Sequence, residues 1–254
     1  MARIKYHLGR SFKSAMDAAV AKFPTLCGST FPCGLHFESD WQRFFRRSPG
    51  TIIDCGANIG QTALRWTRMW PQASILSLEP VVDTFQTLRT ACAPHRNVAC
   101  FNLALGSEVR STFIAAREDN QLHSLNDEVA SGIAVSVTTC DQFCADQGLA
   151  SIDLLKLDVE GYELEVLRGA SEMIQAGRIH AVYAECGFVH GDAHKVHFAQ
   201  LDSALAGAGF VFSGLYEPFR WDVGKRRMGF ANGLWLRDGQ LTSDDGEFSS
   251  GPVA

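Results

Sequence analysis

The chain has 254 residues, 46% hydrophobic, 20% charged and 10% aromatic, a composition that buries a sizeable core and excludes disorder, collagen-like repeats and low complexity as its main state. With 23 Lys+Arg against 28 Asp+Glu and a net charge of −5, it lacks the basic excess that phosphate binding needs, which argues against a nucleic-acid partner. No stretch approaches about 18 uninterrupted apolar residues, and Lys13, Asp17 and Lys22 interrupt the region where a signal peptide would carry its apolar core; a cytoplasmic enzyme with no membrane span is expected.

Residues 1–49 open with an amphipathic helical repeat through Ile4, Leu8, Phe12, Ala15, Ala19 and Phe23, then turn irregular and aromatic at Phe31, Phe37, Trp41, Phe44 and Phe45. They read as a helical extension that caps a larger domain. From 50 to 238 short apolar runs alternate with helical segments: strand 51–55, helix 60–70, strand 74–79, helix 81–92 and strand 98–105. Two short strands at 112–115 and 134–138 follow, then strand 152–158, helix 162–176, strand 181–185, helix 194–208, and strands 210–215 and 233–237. The segment 239–254 is polar and rich in Ser, Asp and Gly, a frayed tail. Alternating strands and helices demand parallel pairing with right-handed crossovers. The expected fold is α/β: a doubly wound, mostly parallel seven-stranded sheet with helices on both faces, plus the N-terminal helical extension. In such sheets ligands sit outside the carboxyl ends of the strands.

Cysteine usage fits packing better than cross-linking. The eight cysteines, at 27, 33, 55, 92, 100, 140, 144 and 186, form no C-x-x-C, and several fall in apolar runs where a thiol behaves as a small buried hydrophobe. Reduced thiols are expected. Cys140 and Cys144 are one helical turn apart, but nothing near them completes a metal ligand set.

The strand ends hold the chemistry. The first strand runs into Asp54-Cys55-Gly56-Ala57-Asn58-Ile59-Gly60 and then a helix, so the glycines let the backbone turn and approach a ligand at a helix N-terminus. The pattern is not the dinucleotide fingerprint, because Asn58 stands where a second glycine would be needed, and no P-loop Lys follows. Glu79-Pro80 ends the second strand; its carboxylate can accept both hydroxyls of a ribose or cap the following helix, and both roles are compatible. Lys156-Leu157-Asp158-Val159-Glu160-Gly161 ends the fourth long apolar strand. Strand alternation would send Lys156, Asp158 and Glu160 to one side at the carboxyl edge, and ionisable groups in so apolar a context are costly unless paired or functional. Glu185, at the end of the next strand, adds a third carboxylate to that edge.

These motifs, together with Asn102-Leu103-Ala104-Leu105-Gly106 and the run Lys156 through Gly161-Tyr162-Glu163 to Gly169, resemble the FkbM family of S-adenosylmethionine-dependent methyltransferases. The resemblance covers about 50–237 and implies a class I, Rossmann-like cofactor fold. It implies that Asp54, Gly56, Ala57, Asn58 and Gly60 hold the methionine end of S-adenosylmethionine, that Glu79 and Pro80 hold the ribose, and that Asn102 to Leu105, Ala104 included, pass the adenine. It further implies O-methylation of a small-molecule or saccharide acceptor. The first fifty residues lie outside it, so the acceptor and any homo-oligomer are left open.

A hydroxyl acceptor must lose a proton, so a carboxylate within reach acts as base. Asp158 and Glu160 are expected to flank the methyl group, one as base or orienting group, the other paired with Lys156 or touching the cofactor; Glu185 is the next candidate. A divalent cation on Asp158, Glu160 and Glu185 is the lesser reading, and no metal is assigned. An NAD-type oxidoreductase is disfavoured by the missing glycine, and a non-catalytic cofactor-fold binding module by the retained acids Asp54, Glu79, Asp158 and Glu160. His190, His194 and His197 read as exposed histidines rather than a zinc set, His36 and His123 are undecided pocket candidates, and Lys225-Arg226-Arg227 reads as a solvated turn. Tyr216, Phe219 and Trp221 beside Arg220 read as a loop packed on the core, with ring stacking as the lesser alternative.

Overall fold

The computed structural model describes residues 32–115, 124–127, 129–221 and 224–239. In chain order the elements are α1 (Phe37–Phe45), β1 (Thr51–Cys55), α2 (Gln61–Met69), β2 (Ser74–Leu78), α3 (Val82–Cys92), β3 (Val98–Phe101), β4 (Ala104–Leu105) and β5 (Arg110–Ile114). They continue with β6 (Ile133–Thr138), α4 (Cys140–Asp146), β7 (Ile152–Leu157), α5 (Glu163–Arg168), α6 (Ser171–Gln175), β8 (Ile179–Gly187), α7 (Phe198–Gly207), β9 (Phe210–Trp221) and β10 (Arg227–Arg237).

The seven-stranded sheet has the order β3-β2-β1-β7-β8-β10-β9. Pairing is parallel from β3 to β8, and β10 runs antiparallel to both β8 and β9. This is the expected mostly parallel sheet with helices on both faces. Strand alternation divides the interior in two: Ile52, Leu154 and Ala181 face one cluster, under α1, α2 and α3, while Ile53, Leu155 and Val182 face the other, under α4 to α7. Continuous apolar runs such as β7 are the mark of strands covered on both faces.

Several boundaries differ from the sequence reading for identifiable reasons. The expected strand 98–105 breaks at Asn102 and Leu103, and β4 joins a second, three-stranded sheet of order β4-β6-β5. The expected helix 162–176 is two short helices meeting at Gly169-Ala170, because the chain at Gly106 passes so close that a Cβ on Gly169 would lie 1.9 Å from the Gly106 oxygen. The helix expected from 194 starts at Phe198, with the His197 ring capping it by accepting from Ala199 N. His190, His194 and His197 therefore all precede the helix and share no helical face. His190 is exposed, and its ring stacks at 4.3 Å on that of half-buried His197. The expected strands 210–215 and 233–237 are the inner halves of one long hairpin, so Tyr216, Phe219, Arg220 and Trp221 lie on a strand rather than in a loop. Lys225, Arg226 and Arg227 are exposed at its turn. The stretch through Phe37, Trp41, Phe44 and Phe45, read as irregular, is helix α1, capped by His36, and helix α4 had no counterpart in the sequence reading.

The described part of the N-terminal segment is built into the core. Phe37 and Trp41 of α1 are buried against Trp66, Trp70, Tyr183 and Tyr216 through a net of ring contacts. His36 is buried as the cap of α1, accepting from Ser39 N, and does not line the cavity described below. Asp153 at the start of β7 fastens the same segment by accepting from Arg47, Gly50 N and Thr51 N. The helical repeat from Ile4 to Phe23, Phe31, Cys27, His123 and the tail beyond 239 lie outside the described residues. The seven described cysteines are free thiols, of which Cys33 is exposed and Cys100 half-buried. Among the described residues no helix is long and apolar enough to cross a membrane.

Candidate active site

The cleft opens where topology says it should, at the carboxyl ends of β1, β2 and β7. It is lined by Gly56, Asn58, Glu79, Pro80, Leu103, Ala104, Leu105, Asp158, Val159 and Glu160 among others. The turn after β1 is shaped by main-chain contact. Gly56 has φ +71°, and a Cβ there would lie 1.9 Å from the Asp158 oxygen, so only glycine lets the ends of β1 and β7 approach this closely. Gly56 N and Ala57 N both donate to Leu78 O of β2, which draws the turn toward Glu79.

Glu79 is held by two backbone donors: Asn58 N at 3.0 Å to one oxygen and Val81 N at 3.0 Å to the other. Burial pushes its pKa up to about 7 against the opposing pull of those two N–H groups. It fastens the loop to the start of α3 and also lines the cleft. Asn102 donates its side-chain amide to the main-chain oxygens of Glu79 and Pro80, both at 2.9 Å, and so supports the cleft floor without lining it.

Lys156 meets Asp158, one of the two partners expected, and a second acid that was not. Register places it opposite Asp54 on β1, and its Nζ lies 2.9 Å from Asp54 and 3.4 Å from Asp158, with Gly56 O accepting at 3.3 Å. Burial works against the ammonium, but Asp54 and Asp158 outweigh it and hold its pKa above the ordinary lysine value. Asp54 is wholly buried, and desolvation raises its pKa while Lys156 pulls it down. The pair is therefore the post beneath the glycine turn, with Asp54, Ala57, Gly60 and Lys156 behind the cleft wall.

Three carboxylates do converge at the edge. Oxygens of Asp158, Glu160 and Glu185 lie within 4.8 Å of one another. Glu160 is not on the strand: β7 ends at Leu157, and Glu160 takes a left-handed φ of +52°. It is held there by Ser124, whose hydroxyl donates to Glu160 O at 2.7 Å. Glu163, fully buried, accepts from Val159 N and Gly161 N on either side, and burial lifts its pKa to about 7. The residue that sequence reasoning missed is Lys195. Its Nζ bridges Glu160 at 2.5 Å and Glu185 at closer contact still, and both acids hold it above the ordinary lysine pKa despite burial. Burial, with Asp158 nearby, raises Glu185 to about 8, while Lys195 restrains the rise. Lys195 sits in an irregular stretch between β8 and α7 among histidines, a context without periodicity or motif, so nothing local marked it.

Residues 54–212 match the model of the methyltransferase FkbM domain. The chain belongs to the FkbM methyltransferase family. Among curated proteins it is 32% identical over 145 residues to Methyltransferase 1 of Beauveria bassiana, which covers 48% of this chain and 58% of that one. It is 30% identical over 156 residues to Methyltransferase sdnD of Sordaria araneosa, with 48% and 60% covered. With the 2-O-methyltransferase NoeI of Sinorhizobium fredii it shares 27% over 152 residues, 53% of this chain and 62% of that one. The match thus spans less than two thirds of each relative. Among solved structures, the N-terminal domain of EvdMO1 with S-adenosylhomocysteine bound has a TM-score of 0.45 at 14% identity, covering 78% of each chain. The FkbM match includes the glycine turn, Glu79, the Lys156–Glu163 run and Glu185, and stops short of the end of the β9–β10 hairpin.

Proposed function

We propose that this FkbM chain transfers a methyl group from S-adenosylmethionine to a hydroxyl oxygen of a small-molecule or saccharide acceptor. The observation that carries the reading is one cleft edge where a glycine turn and a buried ribose-type acid adjoin three convergent carboxylates. The residues fit the cofactor: Gly56 lines the cleft with main chain and no side chain, and Glu79 keeps lone pairs for ribose hydroxyls after accepting two N–H groups. Gly56, Asn58, Glu79, Pro80, Ala104 and Asp158 are the proposed holding residues, with Asp54, Ala57, Gly60 and Asn102 shaping the loop behind them. When bound, S-adenosylmethionine supplies an electrophilic methyl group on a sulfonium.

The protein's own task is orientation and proton removal. Holding two reacting atoms in line contributes several kcal/mol on general grounds, about 7–11 in the best intramolecular cases. Glu185 is the proposed base, because a carboxylate with pKa about 8 accepts a proton from a hydroxyl more readily than an ordinary one. Asp158 faces the cleft and orients the acceptor, while Lys195 fixes Glu160 and Glu185 in place. Residues 50–238 are proposed as the unit that does this work.

Calorimetric titration with S-adenosylhomocysteine tests the cofactor, and a methyl-release assay over hydroxylated acceptors tests the reaction. Saturable binding with no response to NAD is expected. Binding of NAD in place of S-adenosylhomocysteine would overturn the proposal.

A further inference from the structure

The β9–β10 hairpin carries a row of aromatic rings that starts at the carboxylate cluster and runs outward into solvent. Phe230 pairs with Gly187 of β8, two positions beyond Glu185, and its ring lies 5.5 Å from Lys195 Nζ, the ammonium that grips Glu160 and Glu185. Phe219 stacks on Phe230 at 4.8 Å with 14° between planes, and Trp221 meets Phe219 edge-on at 4.8 Å and 86°. Phe219 is 40% exposed and Trp221 52%. Single exposed apolar side chains need no explanation, but a contiguous aromatic patch marks a contact surface.

The outermost ring is also seated. A Cβ on Gly229 would lie 2.1 Å from Trp221 Nε1, so the indole occupies the space a side chain at 229 would take and lies against buried main chain. That holds it in one orientation before any ligand arrives, which lowers the entropic penalty of binding.

The shelf's chemistry is two-sided. Its rings present apolar faces, and its inner end meets the Lys195 ammonium, a donor, with Glu160 and Glu185 paired behind it. The matching molecule has one C–H face and several hydroxyls on its rim, each able to accept as well as donate, as a pyranose ring does. The near-perpendicular corner between Phe219 and Trp221 suits a puckered ring rather than a flat one, which would ask for a parallel slot. We propose that Phe230, Phe219 and Trp221 form the acceptor subsite, holding a pyranose ring of a saccharide acceptor with a hydroxyl toward Glu185. This rests on the methyltransferase reading and names its substrate class.

The test uses the protein's own reporter. Of the five tryptophans, Trp41, Trp66, Trp70 and Trp235 are buried, and Trp221 alone is exposed. In the presence of S-adenosylhomocysteine, methyl pyranosides of glucose, galactose and fucose are titrated while acrylamide quenching of tryptophan emission is read, with sorbitol and phenol as controls. The expected result is saturable protection by at least one pyranoside, weakened about tenfold in Phe219→Ala, the order of one lost ring contact. No protection by any pyranoside, equal protection by sorbitol or phenol, or unchanged pyranoside binding in Phe219→Ala would overturn it. S-adenosylhomocysteine affinity is measured separately by calorimetry. Its loss in the wild type sinks the methyltransferase reading, whereas intact cofactor binding without protection sinks only the subsite.

Discussion

In the proposed mechanism Lys195 and Glu185 set the proton chemistry of the cleft between them. Glu185 is buried with its pKa lifted to about 8, and Lys195 is the nearby cation that opposes the rise. A base acts when deprotonated, so methyl transfer is expected to climb with pH through about 8 and then level. Removing the ammonium in Lys195→Ala takes away the group that favours the carboxylate, which moves this limb to higher pH; Lys195→Arg restores it in part. Glu185→Gln is expected to lose about 100-fold or more in kcat, the usual scale for a general base, with S-adenosylhomocysteine affinity retained. The pH profiles of kcat for the three variants check both statements, and an unshifted limb in Lys195→Ala would show that the ion pair does not tune the base. Asp54, expected at the cofactor, is instead the buried partner of Lys156. The two are neighbours only through the β1–β7 register, and nothing in either segment alone could have paired them.

At the level of elements, the cleft depends on how closely two parallel strands end. The Gly56 turn packs against the Asp158 oxygen with no room for a methyl group, and Glu163 ties down the loop that carries Glu160. Gly56→Ala is expected to destabilise the fold by about 1–3 kcal/mol, the range for overpacking, and to weaken S-adenosylhomocysteine binding as well, because relief of the contact moves Asp158. Thermal melting and calorimetry on the same variant separate the two effects. A variant with wild-type melting and binding would mean that the approach is not needed. The helix 162–176 and the strand 98–105 looked continuous because each half satisfies its own periodicity; the helix breaks where Gly106 and Gly169 cross, and the strand breaks at Asn102, whose side chain donates to the Glu79 and Pro80 oxygens, both contacts between distant segments.

For the whole molecule, the acids gathered at one sheet edge make stability depend on pH. Glu79 and Glu163 each have a folded pKa near 7, raised by burial from an ordinary value of 4.5. Between those values the folded state binds more protons than the unfolded chain, so stability falls as pH rises across that window. Urea midpoints measured at pH of about 5 and about 7.5 are expected to show the fall, and Glu163→Gln, which keeps an acceptor oxygen but no charge, is expected to flatten it. A wild-type midpoint that rises over this interval would contradict the assignment. Opposite the cleft's loops, α1 closes one face of the sheet through Phe37 and Trp41, so the described part of the segment read as a cap is load shared with the core.

Sequence by itself determined the main sheet, the helices that follow β1 and β2, and the motif acids, because burial on both faces writes continuous apolar strands and because the glycine turn, Glu79 and the Lys156–Glu163 run are local signals within short stretches of chain. Only the tertiary structure decided which charges meet. Asp54 joined Lys156, Lys195 joined Glu160 and Glu185, and the hairpin brought Phe219, Trp221 and Phe230 into one surface at the end of that cluster. Ion pairing acts over a few ångströms between charges as far apart in sequence as Asp54 and Lys156, and the stacking of Phe219 on Phe230 follows from the hairpin register, so neither is written in local periodicity or spacing.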